Sequence, residues 1–269
     1  MRSISVKRIF AAILAGTMAL SFAACGEKNE DSKNETADGE KFVVGFDAAF
    51  PPYGYQDDNG EYVGFDLDLA AEVCNRNNWE LEKKPIDWDS KDMELNSGAI
   101  SCIWNGFTMT GREAEYAWSK PYVDNSQVFV TKADSDISSF DDLSGKNVAV
   151  QTDSSAESAL KGEDNKALAD SFNELVVVSD YNTAFMNLDS GAVDAIAMDI
   201  GVANYQIESR GSDYLMLSDI LSVEQYAVGF ALDNTELRDK VDATLDEMRN
   251  DGTFEKIADK WGLSDSIIK

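Results

Sequence analysis

From Phe42 to Met198 the sequence alternates short apolar runs with segments whose apolar residues recur every third or fourth position, and this rhythm restricts the fold to the α/β class. Phe42-Val-Val-Gly-Phe46 reads as a strand, and Phe65 to Val73 then sets Leu67, Leu69, Ala70 and Val73 near helical spacing. The same rhythm predicts strands at Leu81–Lys84, Ile100–Trp104, Val128–Thr131, Asn147–Val150, Leu175–Val178 and Ala195–Met198. Helices are expected at Trp88–Asn96, around Ser155–Leu160 and at Tyr181–Leu188. Near the end, Leu237, Val241, Leu245 and Met248 mark a longer helix that opens at Asn234-Thr235 and stops at Gly252, with a short helix from Thr253 to Trp261 after it. Such alternation implies mostly parallel sheets covered by helices.

Two strand-helix series lie on either side of residues 122–130, and the sequence between Lys132 and Asp142 reads as a polar connection. A chain of 269 residues with 43% hydrophobic content can bury a core in each of two lobes. Ligands of open α/β sheets sit outside the carboxyl ends of the strands, so two such lobes facing each other make a cleft. The loops after the strands are therefore where functional residues are expected.

Composition removes several functions. Fifty acidic residues against 23 basic ones give a net charge of −27, which repels nucleic-acid phosphates and anionic lipid surfaces. Histidine is absent, so Ser-His-Asp and Cys-His catalysis and imidazole-based zinc sites are excluded. There is no Gly-rich phosphate loop either, and neither cofactor, metal nor enzymatic activity is expected. Cys74 falls in a helical pattern and Cys102 in an apolar strand, positions that suit buried thiols better than a disulfide.

The first residues read as an export leader. Arg2, Lys7 and Arg8 precede an apolar run from Ile9 to Ala24 that is short for a membrane span. The run ends in Leu20-Ser-Phe-Ala-Ala-Cys25-Gly26, which resembles the lipobox at which bacterial lipoproteins are cut and lipidated, making Cys25 the anchor. Loss of that leader would take the charge from −27 to −30, since it carries three basic residues and no acidic one. Residues 25–40 have no large apolar side chain before the end and read as a tether. The expected organisation is leader 1–24, tether 25–40, lobe one 41–123 and 228–269, and lobe two 124–227.

Five motifs occur in order: Gly45-Phe-Asp-Ala-Ala-Phe-Pro-Pro-Tyr-Gly-Tyr55, Asn59-Gly-Glu-Tyr-Val-Gly-Phe-Asp-Leu-Asp-Leu69, Asn105-Gly-Phe-Thr-Met-Thr-Gly-Arg112, Trp118-Ser-Lys-Pro-Tyr122 and Asp251-Gly-Thr-Phe-Glu-Lys256. Together they resemble the polar amino acid binding proteins of ABC importers over residues 42–263. The resemblance implies a type II periplasmic binding fold with lobe two inserted in lobe one. It also implies a monomer that captures a polar L-amino acid by lobe closure and delivers it to a membrane permease with its ATPase.

By the same resemblance Arg112 takes the ligand carboxylate, a role suited to its planar fork, and Asp199 takes the ligand ammonium. Thr108 and Gly106 supply a hydroxyl and a backbone amide, and Ser155 reaches the carboxylate from the second lobe with Ser154 beside it. Phe50 lies over the ligand side chain, Asp47 touches its end, and Trp104 is a pocket residue by position. Between Thr110 and Arg112 this chain has one residue fewer than the family usually has. Asp199 also suits a helix cap, and Phe50 also suits loop packing. A sensor that signals to a receptor would share this site, while an exported dehydratase-like enzyme of the same fold would need a cleft acid with a raised pKa. Glutamine, basic amino acids and cystine all remain open as ligands.

Overall fold

The computed structural model describes residues 39–269; the leader and Cys25 lie outside them, as does most of the tether. The chain opens with β1 (Lys41–Phe46), forms a small antiparallel sheet from β2 (Ala49–Phe50), β3 (Gly54–Gln56) and β4 (Tyr62–Val63), and enters α1 (Phe65–Asn77). β5 (Glu80–Pro85), α2 (Lys91–Asn96), β6 (Cys102–Ile103) and β7 (Ala117–Trp118) follow. β1 is flanked by β5 and β6 in parallel, and its Phe42, Val44 and Phe46 are buried because helices cover the sheet. α1 supplies Leu67, Leu69, Ala70 and Val73 to that core and ends where Asn78 turns left-handed at φ 55°.

β8 (Val123–Lys132) then begins a second sheet. There follow in sequence β9 (Asn147–Gln151), α3 (Ser155–Lys161), α4 (Lys166–Ala169), β10 (Glu174–Val178), α5 (Tyr181–Ser190), β11 (Ala195–Asp199), α6 (Ile200–Arg210), β12 (Tyr214–Met216) and β13 (Ser222–Tyr226), of which the strands join that sheet. The strand order is β10-β9-β11-β8-β12, with β13 also on β8. β9, β10 and β11 run parallel, and β8 runs antiparallel to its neighbours. β14 (Gly229–Phe230) returns to the first sheet between β6 and β7, and α7 (Thr235–Asp251) and α8 (Thr253–Lys260) pack back on its core through Val241, Leu245, Met248 and Phe254.

The chain therefore passes between sheets twice, at residues 118–123 and 226–229. Val123 pairs with Tyr226, so the two passages run side by side. The polar stretch 132–142 lies within the second lobe. It follows β8 on the second lobe, where Ile137 and Leu143 are buried and Ser139 and Asp142 form a capping box around a 3₁₀ turn at Phe140–Leu143. Cys74 and Cys102 are buried free thiols. Among the described residues no helix is long and apolar enough to cross a membrane.

Candidate ligand-binding site

Asp199 is the last residue of β11 and the N-cap position of α6, but its side chain makes no cap bond. Its Oδ1 instead accepts from Asn125 Nδ2 (2.8 Å), Gln127 Nε2 (2.7 Å) and the Tyr226 hydroxyl (2.5 Å). Burial, and then the charge of Glu224, push this carboxyl well above the usual carboxylate range, against those three donors. The strand end thus presents a buried acid toward the first lobe.

The first lobe answers with the loop after β6. Gly106 has φ 56°, and a Cβ there would meet Phe50 Cε1 at 2.8 Å and Tyr226 Cε2 at 3.0 Å, so only glycine fits. Its N–H donates to Asp66 Oδ2 (2.5 Å), a fully buried acid at the start of α1. Burial pushes Asp66 up to about 7, with Gly106, Tyr122 and Trp104 pulling the other way. Thr108 Oγ1 lies 3.3 Å from Ser155 Oγ and 2.7 Å from Glu224 Oε1, so the hydroxyls of the two lobes meet.

Arg112 reaches the same place despite its shortened loop. Its guanidinium lies 5.5 Å from the Phe107 ring and donates to the backbone oxygens of Thr108 (3.5 Å) and Asp153 (3.3 Å). Among the described residues it has no carboxylate within 4.0 Å. A cation without an acidic partner faces a cavity that also receives Phe50, Gly106, Thr108, Ser155 and Asp199. That cavity holds about 20 Å³, room for about one water-sized sphere, so an amino acid enters only if the lobes part.

The remaining expected residues divide. Phe50 lines the cavity between Tyr53 and Tyr181, at ring distances of 5.8 and 5.9 Å. Ser154 is the N-cap of α3, its Oγ accepting from the Glu157 N–H (3.1 Å). Asp47 lies in an adjoining cleft of about 800 Å³ that is also lined by Asp87, Asp89, Glu94 and Asp180. Burial, with the charges of Asp180 and Asp87 adding to it, pushes Asp47 up to about 6, while the Ala49 N–H and Gln151 Nε2 oppose this at 2.8 and 2.7 Å. Trp104 is placed elsewhere and is not part of the lining. It shares the face of Cys102 rather than that of Ile103, because successive residues alternate, and so points into the α1 core against Tyr122.

The sequence did not single out Trp88, Asn105 and Gln151 of the lining, or Asn125, Gln127 and Glu224 behind Asp199. Asn125 and Gln127 carried one readable signal, two amides at alternate positions of an apolar strand.

Two sheets joined by two passages, with a cation offered by one lobe and an acid by the other, define the type II periplasmic class of solute receptor. The chain belongs to the bacterial extracellular solute-binding proteins, family 3, whose model matches residues 42–264. It is 30% identical to the probable amino-acid-binding protein YxeM of Bacillus subtilis, over 96% of each chain. A substrate-binding protein of an ABC uptake transporter from Streptococcus pneumoniae, solved with bound histidine, superposes with a TM-score of 0.82 at 33% identity, covering 85% of this chain and 95% of that one. Another solved structure, bound to L-arginine, gives a TM-score of 0.80 at 28% identity over 85% of this chain and 93% of its own. The family's extracellular setting places the work of this protein outside the cytoplasm.

Proposed function

We propose that this protein is the amino-acid receptor of an ABC importer, holding a polar L-amino acid as a zwitterion between its lobes and handing it to a permease and its ATPase. Arg112 takes the carboxylate with Thr108 and Ser155, and Asp199 takes the ammonium. The observation that carries this reading is the pairing of Arg112, which has no carboxylate partner among the described residues, with a buried Asp199 lining the same cavity from the other lobe. No chemistry is assigned to the site, since binding alone uses every group named.

Asp47 and the acidic cleft beyond it favour a ligand whose side chain is cationic or a hydrogen-bond donor. Relatives solved with histidine and with arginine agree with such a side chain. The protein is tethered to the outer face of the cell membrane through a lipid on Cys25. A thermal-shift panel of the twenty amino acids and cystine tests the reading, because a ligand of the folded state raises the melting temperature by mass action. Arginine, histidine, glutamine or cystine should raise it; no shift with any amino acid would overturn the assignment.

A further inference from the structure

We propose that Glu224 is a second receptor for the ligand's α-ammonium, which binds between the carboxylates of Glu224 and Asp199. This rests on the amino-acid reading above and adds to it a residue that the sequence did not single out.

Glu224 stands on β13 opposite Asn125 of β8 and is buried. Its Oε1 accepts from Thr108 Oγ1 (2.7 Å), Asn125 Nδ2 (2.7 Å), Gln127 Nε2 (2.8 Å) and Ser155 Oγ (3.0 Å). The same two amide nitrogens also reach Asp199 Oδ1, so two neutral donors are shared between two buried acids. Among the described residues no Lys or Arg lies within 4.0 Å of either carboxylate. The amide oxygens of Asn125 and Gln127 are buried without a donor. The cluster therefore has more acceptors than donors and no positive charge among the described residues, and an ammonium brings three donors and one charge. Thr108 and Ser155, which both donate to Glu224, connect the cluster directly to the cavity that Arg112 lines.

Two carboxylates this close do not both ionise readily in a buried site. The titratable groups facing Asp199 are Glu224 and Tyr226 of β13, Tyr181 of α5 and Tyr53 of the first lobe, with Arg112 as the cation lining the cavity. Before ligand arrives Asp199, raised by burial and then by the charge of Glu224, keeps a proton. The incoming ammonium replaces it, and that proton leaves to solvent.

Calorimetry of the full protein with L-arginine, L-histidine, L-glutamine and L-cystine, in buffers of different ionisation enthalpy near neutral pH, counts the protons released. The wild type should release a proton on binding. Glu224→Gln keeps the size and an acceptor oxygen; it should weaken binding about tenfold and lower the proton count. Removing the ligand's amino group should then cost less in the variant than in the wild type, a coupling that a merely structural Glu224 would not show. If the wild type binds one of the four without releasing a proton, or if Glu224→Gln binds it with unchanged affinity and proton count, Glu224 is no receptor while the amino-acid reading stands. If none of the four binds the wild type, the amino-acid reading fails and this inference with it. Should Glu224→Gln not fold, the wild-type proton count decides.

Discussion

Lys91 and Asp153 form an ion pair across the cleft, Lys91 opening α2 in the first lobe and Asp153 preceding α3 in the second. The Lys91 side chain is 2% exposed and lies 5.4 Å from the Trp88 ring, while Asp153 is half exposed. Parting the lobes breaks the pair and wets both groups, so the contact favours closure. Because Asp153 is screened by solvent, its effect is about 1 kcal/mol, roughly fivefold in Kd. Asp153→Asn tolerates the φ of 54° at this position and strands Lys91 in the closed form. Ligand affinity should fall about fivefold for Asp153→Asn, and Lys91→Met added to it should restore part of the loss. Affinity unchanged in the single variant at low and at high salt would remove the pair from the closure mechanism.

A second closure contact has no charge. Gly201, near the start of α6, touches Tyr53 of the first lobe so closely that a Cβ would run into the Tyr53 hydroxyl. Tyr53 is buried against Phe50, Phe65 and Tyr226 and has no room to yield. Gly201→Ala should therefore hold the lobes apart and weaken amino acid binding, although residue 201 does not line the cavity. Small-angle scattering should show the ligand-saturated variant larger than the ligand-saturated wild type. Equal scattering profiles and equal affinities would show that this contact gives way.

The elements that form the lobes were readable because their signals are local. β1, α1, β9, α5 and β11 each carry a run or a period within one short window; the strands and α5 were found within a residue or two, and α1 runs four residues beyond the expected Val73. The strands that pass between lobes were not readable in full. β13 (Ser-Val-Glu-Gln-Tyr) mixes polar and apolar residues, because one face meets Asp199 and the other meets solvent, so its run falls below the strand signal. Arg112, Thr108, Gly106 and Asp199 came from loop motifs at strand ends, where a site is expected. Glu224 and Gln127 were not singled out because strand residues normally pack, and only the pairing of β8 with both β11 and β13 brings them beside Asp199. Trp104 failed for the opposite reason, since position at a strand end does not say which face the side chain takes.

Charge recognition gives a third prediction. Leaving a buried ligand carboxylate without its partner costs about 3–5 kcal/mol, or two to four decades in Kd, so Arg112→Ala should abolish measurable amino acid binding. Arg112→Lys should also lose much of it, because a point charge does not reproduce the bidentate fork. Decarboxylated and N-acetylated analogues should fail against the wild type. A melting-temperature shift in Arg112→Ala equal to that of the wild type would exclude the zwitterion arrangement.

The anchor is tested separately. Cys25→Ser removes the only thiol that follows the small residues of the leader, and fractionation should find the variant either unprocessed or released from membranes. A processed variant that stays membrane-bound would rule out lipidation at Cys25.

The buried acids also set how stability depends on pH. Asp66 is raised to about 7 and Asp47 to about 6, in both cases chiefly by burial, whereas an unfolded Asp titrates near 3.9. Between about pH 4 and 7 the folded protein therefore holds protons that the unfolded chain has released, and this contribution is complete below about pH 4 and lost as pH rises through the folded values. Asp251, held at about 2 by Thr253 and Arg76, acts in the opposite sense but only below about pH 4. Urea denaturation without ligand should thus show stability falling by a few kcal/mol, to order of magnitude, from about pH 5 to about pH 7.5. Asp66→Asn cannot titrate yet keeps an acceptor for the Gly106 N–H, so its decline over that range should be shallower. Stability that rises across the range, or a wild-type slope in Asp66→Asn, would mean that Asp66 is ionised in the fold and held there by the Gly106 loop.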